Sequence, residues 1–322
     1  MSVKPAADGL RKFRKLLPTR SPLLRDALRA AEKALPTDAS ILVLGESGTG
    51  KDYLVDAIHA CSARAAGPLV KIACATLPEE LFEAELFGFE KGAFTDAAAR
   101  KPGRVETAEG GTLYLDEVGA LTPHLQAKLL RLLQERTFSR LGGEKSIGLD
   151  VRIVSSSNLS AEELSDETRF RRDLYYRLNV IAVRLPPLRE RREDSPMLAR
   201  LFARDAARRY RRRVRDVAAD ALALLGEHRW PGNVRELRNV IDRAVIGEEG
   251  ETLSLSSIPR DFGIDVESFS GAGAARGDTL EEMERRYVTE VLRRTNGNQS
   301  RAALILGISR KTLLEKRKKW GL

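Results

Sequence analysis

Two cysteines in 322 residues, Cys61 and Cys74, are too few for a disulfide scaffold, and their spacing is not that of a Cys-x-x-Cys metal knuckle. The three histidines, His59, His124 and His228, are scattered, which argues against a zinc site and leaves two buried free thiols as the plain reading. No run of about 18 apolar residues occurs, so no segment is expected to span a membrane. Met1 to Arg20 is basic but lacks the apolar core of a secretory signal. Together these absences point to a soluble, cytoplasmic, reducing setting. What the chain has in excess is positive charge, a formal +9 with pI about 9.7. Residues 276–322 hold twelve Lys/Arg against six Asp/Glu, a local +6, so a basic tail domain with a polyanionic partner is expected.

Hydrophobic residues make up 42% of the chain, enough for one large domain plus a small one, or for two medium ones. Residues 1–11, with their small residues, Pro and Gly, read as a short loose arm. Apolar runs then alternate with helical patterns: Ile41–Leu44, Leu69–Ala73, Thr112–Leu115, Val151–Ser155 and Val180–Leu185. Short apolar strands between helices predict a parallel sheet covered on both faces, an α/β fold. Thr122-Pro123 has the form of a helix start, a capping hydroxyl followed by Pro in the first turn. From about Pro186 the strand signal stops, and residues 195–247 read as helices only. One of these opens at Pro231-Gly232-Asn233 and carries Val234, Leu237, Ile241 and Ala244 on one stripe. Residues 263–278 have linker composition. A final all-α domain follows from about Thr279 to Leu322.

Gly45-Glu46-Ser47-Gly48-Thr49-Gly50-Lys51 follows the first strand and opens a helix, which is the context a P-loop requires. Its glycines let backbone N–H groups converge on phosphate oxygens, and the helix N-terminus adds partial positive charge. Lys51 would reach the β and γ phosphates of ATP. Asp52 stands where the general pattern has a magnesium-holding Ser or Thr. The partner motif, Gly110-Gly111-Thr112-Leu113-Tyr114-Leu115-Asp116-Glu117, is an apolar strand ending in two acids. Asp116 is expected to hold Mg2+ and Glu117 to polarise the attacking water.

The P-loop followed by an acid resembles that of the NtrC-type sigma-54-dependent activators, bacterial AAA+ ATPases, whose version reads GESGTGK and then usually Glu. Glu85-Leu86-Phe87-Gly88-Phe89-Glu90-Lys91-Gly92-Ala93-Phe94-Thr95-Asp96-Ala97 resembles that family's ELFGHEKGAFTGA signature. The resemblance implies that Gly92, Ala93, Phe94, Thr95, Asp96 and Ala97 form a loop that contacts sigma-54 and moves with the nucleotide state. Leu141-Gly142-Gly143 resembles the second loop that supports it. Val151 to Asn158 resembles the first sensor strand, which usually ends Ala-Thr-Asn, so Asn158 is a candidate nucleotide contact. Phe170 to Asn179 resembles FREDLYYRLN, which assigns Arg171 and Arg177 as arginine fingers acting on a neighbouring subunit, hence a hexameric ring. Leu185 to Arg191 resembles the start of the helical lid. Trp230 to Leu237 resembles the second sensor, with Arg235 facing the nucleotide. One departure stands out: the family's INCAAL run is Ile72-Ala73-Cys74-Ala75-Thr76-Leu77 here. The Asn thought to restrain the catalytic Glu is thus Ala73, which has no donor to offer. Either basal hydrolysis is less restrained, or another residue takes that role.

Asn298 to Leu313 resembles the Fis-type helix-turn-helix, NKSRAAELLGISRRTL. Gly307 permits the tight turn and Ser309 is a good N-cap for the reading helix. Arg310, Lys311 and Thr312 are placed for base edges, and Ser300, Arg301, Lys316, Lys318 and Lys319 complete the expected DNA contacts. The helix before them would pair two such domains as a dimer. Arg317 and Glu315 depart from the usual Leu and basic residue.

The resemblance therefore implies an AAA+ P-loop NTPase with a parallel five-stranded sheet between helices (12–187), an α-helical lid (188–262), a linker (263–278) and a helix-turn-helix domain (279–322). The expected function is ATP-driven remodelling of sigma-54 RNA polymerase from an upstream double-stranded DNA site. With only about twenty residues before the match, no receiver domain is expected, and control would come from a regulatory protein in trans, from expression level, or from nothing. Two rival readings are a DNA-binding regulator whose ATPase serves assembly alone, and an AAA+ unfoldase. The lid arginines between Arg204 and Arg215 read as a solvated helix face, with a nucleic-acid surface as the alternative.

Overall fold

The five apolar runs become β1 (Ile41–Leu44), β2 (Leu69–Ala73), β3 (Thr112–Asp116), β4 (Arg152–Ser157) and β5 (Ile181–Arg184) in the computed structural model. It describes residues 5–94, 97, 99–258, 280–295 and 298–320; the expected linker at 263–278 lies outside them. The chain divides into two compact units, Met1–Ser257 and Ile258–Leu322.

In the first unit the strand order is β2-β3-β4-β1-β5, with every neighbouring pair parallel. Helices precede and connect the strands: α1 (Pro5–Leu16), α2 (Pro22–Ala34), α3 (Lys51–Ala60), α4 (Glu79–Phe87), α5 (Arg104–Thr107), α6 (Pro123–Glu135), α7 (Ala161–Leu164) and α8 (Arg172–Leu178). Strand side chains alternate between two cores. Leu42, Leu44, Leu113, Leu115 and Ile153 meet Phe82, Leu129 and Leu174 from α4, α6 and α8. Ile41, Val43, Tyr114 and Val154 meet Phe13, Leu28 and Ile58 from α1, α2 and α3. A sheet covered on both faces needs apolar residues at consecutive positions, which is why its strands read as unbroken runs. Each of these aliphatic side chains contributes about 1.5–3 kcal/mol by leaving water. Helix α6 starts as expected, with the Thr122 hydroxyl accepting from the Leu125 N–H at 3.4 Å.

The loose arm expected at residues 1–11 is corrected from Pro5 onward. Helix α1 starts there, Leu10 packs against the core and Phe13 is fully buried. The small residues that suggested looseness serve a close approach: a Cβ on Gly9 would lie 3.0 Å from the Cys61 carbonyl oxygen. Lys12 also donates to the Ala60 carbonyl at 3.0 Å.

The lid consists of α9 (Asp194–Tyr210), α10 (Ala219–Glu227) and α11 (Asn233–Gly247). It is not helices only, as the sequence suggested. Asp216–Val217 pairs in parallel with Thr252–Leu253, a two-residue ladder too short to leave a periodic signal. Trp230 is fully buried, and its indole N–H donates to the Leu225 carbonyl at 2.9 Å.

The second unit holds α12 (Leu280–Arg294), α13 (Gln299–Leu306) and α14 (Arg310–Trp320) around Val288, Val291, Ala302, Ala303 and Leu313. Asn298 caps α13 by accepting from the Arg301 N–H at 3.1 Å. Gly307 turns the chain in the left-handed region at φ +66. Ser309 caps α14, its hydroxyl accepting from the Thr312 N–H at 3.0 Å.

Candidate functional site

The P-loop connects β1 to α3, and the acids Asp116 and Glu117 close β3. Because β4 lies between β1 and β3, its end falls between the two motifs at the carboxyl edge of the sheet. Gly45 N–H donates to the Ser157 carbonyl at 3.2 Å, tying the P-loop to this edge. Lys51 is nearly buried at the start of α3. Its ammonium donates to the Gly45 carbonyl at 2.8 Å and pairs with Glu117 Oε1 at 3.0 Å. Glu117 Oε2 accepts from the Asn158 backbone N–H at 2.7 Å. Glu117 itself is a non-glycine residue at φ 58, a conformation that costs about 1–3 kcal/mol and must be held by its surroundings. Ala73 pairs with Asp116 across β2 and β3 and offers no side-chain donor.

Asp116 is anchored beside it. Oδ1 accepts from the Tyr114 hydroxyl at 2.8 Å and from the Ser156 hydroxyl at 2.5 Å. Tyr114 OH lies 2.9 Å from Asp52 Oδ1 as well, so one phenolic proton is shared between two carboxylates. Burial, with the neighbouring carboxylates adding to it, pushes the Tyr114 hydroxyl well above the usual phenol range, so it stays protonated. Asp52 and Asp116 thus supply hard oxygen donors on two elements, the donor chemistry that Mg2+ prefers. Cys74, next along, is a buried thiol pushed up to about 12 by desolvation and is inert at neutral pH.

The lid grips the P-loop from the other side. Arg189 donates to Glu46 Oε2 at 2.7 Å, and Asn233 Nδ2 donates to the same carboxylate at 3.1 Å and to the Ser47 carbonyl at 3.0 Å. Arg191 donates to the Thr49 carbonyl at 2.8 Å, and Arg235 to the Ser47 hydroxyl at 2.8 Å. Gly48 has φ +77, and a Cβ there would stand 2.4 Å from the Gly232 carbonyl oxygen, so the junction requires glycine. The Arg189 guanidinium holds the Glu46 carboxyl below its ordinary value. A depressed folded value means this contact contributes stability above the unfolded pKa of about 4 and loses it as pH falls through the folded value.

Of the loop expected to meet sigma-54, Gly92, Ala93, Phe94 and Ala97 are described, while Thr95 and Asp96 lie outside the described residues. Gly92 N–H donates to the Ala97 carbonyl at 2.9 Å, closing the loop. Phe94 is 44% exposed and rests edge-on against Phe89 with ring centroids 4.8 Å apart. The loop rises from Gly88–Phe89, paired antiparallel with Lys101–Pro102 and bridged to Leu141 of the second loop. Arg140 clasps both, donating to Glu90 at 2.6 Å and to Glu106 at 2.8 Å from a nearly buried position. Arg140→Ala would leave two carboxylates without their counter-charge. Because both carboxylates stay part-exposed and can be rehydrated, the expected cost is about 1.5 kcal/mol, read by urea denaturation; a loss within about 0.5 kcal/mol would show the clasp to be decorative.

Arg171 and Arg177 lie on a different element from the P-loop. Arg171 stands at the N-cap position of α8 without a side-chain cap bond and pairs with Asp173 at 2.8 Å, and Arg177 donates to the Leu133 carbonyl at 3.2 Å. Of the DNA-reading candidates, Arg310, Lys311 and Thr312 occupy the exposed and partly exposed first turn of α14. Ser300 and Arg301 start α13, while Lys316 pairs with Glu284 at 2.7 Å. Asn233, Arg189, Arg191, Tyr114, Ser156 and Arg140 were not singled out from sequence. Only Ser156 left a local sign, a hydroxyl where the resembled strand usually has Ala.

Comparison with known proteins agrees with this architecture. The sigma-54 interaction domain family matches residues 17–184, an AAA+ ATPase lid domain residues 189–270, and the Fis family of bacterial regulatory proteins residues 279–320. The transcriptional regulatory protein ZraR of Klebsiella oxytoca is 45% identical over 300 residues, covering 92% of this chain and 67% of that one. The regulatory protein AtoC of Escherichia coli is 44% identical over 313 residues, covering 94% and 67%. The crystal structure of NtrX from Brucella abortus in complex with ATP superposes with a TM-score of 0.68 at 35% identity, covering 98% of this chain and 72% of that one. Among the described residues no helix is long and apolar enough to cross a membrane. With both ends of the P-loop edge, the lid and the capped helix-turn-helix accounted for, the chain belongs to the sigma-54-dependent transcriptional regulators, AAA+ proteins that carry a Fis-type DNA-binding domain.

Proposed function

We propose that this chain hydrolyses ATP and uses the energy to convert sigma-54 RNA polymerase holoenzyme from closed to open complex while bound to an upstream DNA site in the cytoplasm. The observation that carries the reading is the convergence of Lys51, Glu117 and the Asn158 amide at one sheet edge. Gly45, Glu46, Ser47, Gly48, Thr49, Gly50 and Lys51 cradle the phosphates, and Arg235 reaches the same loop from the lid. Glu117 orients and polarises the attacking water. The Asn158 N–H holds Glu117 in place, the role for which Ala73 has no donor. Asp116, steadied by Ser156 and Tyr114, and Asp52 would hold Mg2+, which when bound neutralises charge on the β and γ phosphates.

Arg171 and Arg177 complete the site of a neighbouring subunit, which makes the working form a ring, read here as a hexamer. Helix α12 pairs two DNA-binding domains, and Ser309 to Thr312, with Ser300, Arg301 and Lys316, meet the duplex. Gly92 to Ala97 touch sigma-54, with Phe94 and Thr95 at the contact. Thr95→Ala is therefore expected to keep ATP hydrolysis within about twofold while open-complex formation drops at least tenfold, scored by permanganate footprinting. Loss of both together would make the loop structural and sink its role as a polymerase contact.

A further inference from the structure

A cleft of about 620 Å³ in the lid is lined by Arg204, Arg208, Arg212, Arg213 and Arg215, with Glu251 the only acid on its wall among the described residues. It forms where α9 ends: Arg211 takes the left-handed conformation at φ 55, and the chain doubles back to the Asp216–Val217 ladder. A helix C-terminus favours one or two cations, so some arginine here needs no further explanation. Three of the neighbouring acids, however, are already engaged, and Asp205 acts electrostatically on Arg209. Asp216 is bonded to Arg200 at 3.2 Å, Asp242 to Arg209 at 3.2 Å, and Glu251 to Arg215 at 3.5 Å. Arg208, Arg212 and Arg213 have no acid partner among the described residues, and Arg204 is only within electrostatic reach of the engaged Asp216. All four are exposed and face a concave surface.

Clustered guanidinium groups repel one another, and a concave wall concentrates their field. The ligand that relieves this carries regularly spaced negative charge and acceptor oxygens. We infer that this lid cleft is a second DNA contact, one that grips the phosphate backbone of a duplex without reading sequence. Double-stranded DNA is the favoured occupant because the same chain carries a Fis-type domain that brings duplex to it. Arginine suits the task through its planar fork of donors, which matches phosphate geometry. Contacts of this kind position the protein and carry most of the salt dependence, while α14 supplies specificity. The contact uses neither nucleotide nor polymerase, so it stands or falls separately from the remodelling activity.

The test uses the full chain with Arg310→Ala and Lys311→Ala to silence the reading helix. Binding of a random-sequence duplex is followed by fluorescence anisotropy across a salt series. Adding Arg204→Ala, Arg208→Ala, Arg212→Ala and Arg213→Ala is expected to weaken the residual binding at least tenfold. The slope of log K against log salt should become shallower by about 3.6, near 0.9 per lost phosphate contact. The matching four Arg→Lys changes should restore most of the slope, which separates charge from a folding defect. Residual binding and slope unchanged by the four alanines would overturn the inference. So would inorganic pyrophosphate held in the cleft at micromolar concentration and not displaced by duplex.

Discussion

Glu117→Gln is expected to slow ATP hydrolysis about 10²–10⁴-fold while ATP still binds. Glutamine keeps an oxygen for the Asn158 N–H, which now reaches Glu117 at 2.7 Å, so the loop after β3 keeps its shape. What disappears is the negative charge: the pair with Lys51 at 3.0 Å is lost, and so is the base proposed to polarise water. Single-turnover hydrolysis and equilibrium binding of a fluorescent ATP analogue separate the two effects. A rate within fivefold of the parent would remove Glu117 from the chemistry. The contrasting change is Ala73→Asn, which restores a donor beside Asp116 and is uninformative about the base itself.

Trp230→Ala is expected to destabilise the lid by about 3–5 kcal/mol, the usual cost of emptying a fully buried aromatic site. The effect should extend beyond a cavity. Trp230 sits in the left-handed region, and its carbonyl accepts from the Asn233 N–H at 2.8 Å, so the indole anchors the turn that presents Asn233. Asn233 in turn reaches Glu46, Ser47 and, by accepting at 2.8 Å, the Leu188 N–H. Thermal unfolding should therefore shift down, and ATP affinity should fall with it, because the lid side of the P-loop loses its grip. Lowered stability with unchanged ATP affinity would show that the lid clasp is not part of the nucleotide site.

Much of this molecule is legible one segment at a time. The strands announced themselves because both faces of the sheet are covered, which leaves Leu42 and Val43 both buried though they point to opposite cores. The P-loop, the Thr122-Pro123 start and the Ser309 cap are likewise local, written within a few neighbouring residues. What stayed hidden depends on contacts between distant ones. Asn233 meets Glu46 across 187 positions, and Arg140 meets Glu90 across 50. No window of sequence carries such pairings, since the fold alone decides which polar groups converge. The first helix was missed for another reason. Gly9 reads as a loop residue, yet it is there to let α1 approach Cys61. Arg171 and Arg177 belong to a third kind: their proposed work is on another subunit, so one chain's geometry gives them only partners within that chain, Asp173 and the Leu133 carbonyl.

The most direct measurement is permanganate reactivity of a sigma-54 promoter held in closed complex, with purified full chain added. New reactive thymines are expected around the start site with ATP and none with a non-hydrolysable analogue. Steady ATP hydrolysis in the same tube with the promoter still closed would contradict the proposed function, leaving a DNA-binding regulator whose nucleotide site does something other than open promoters.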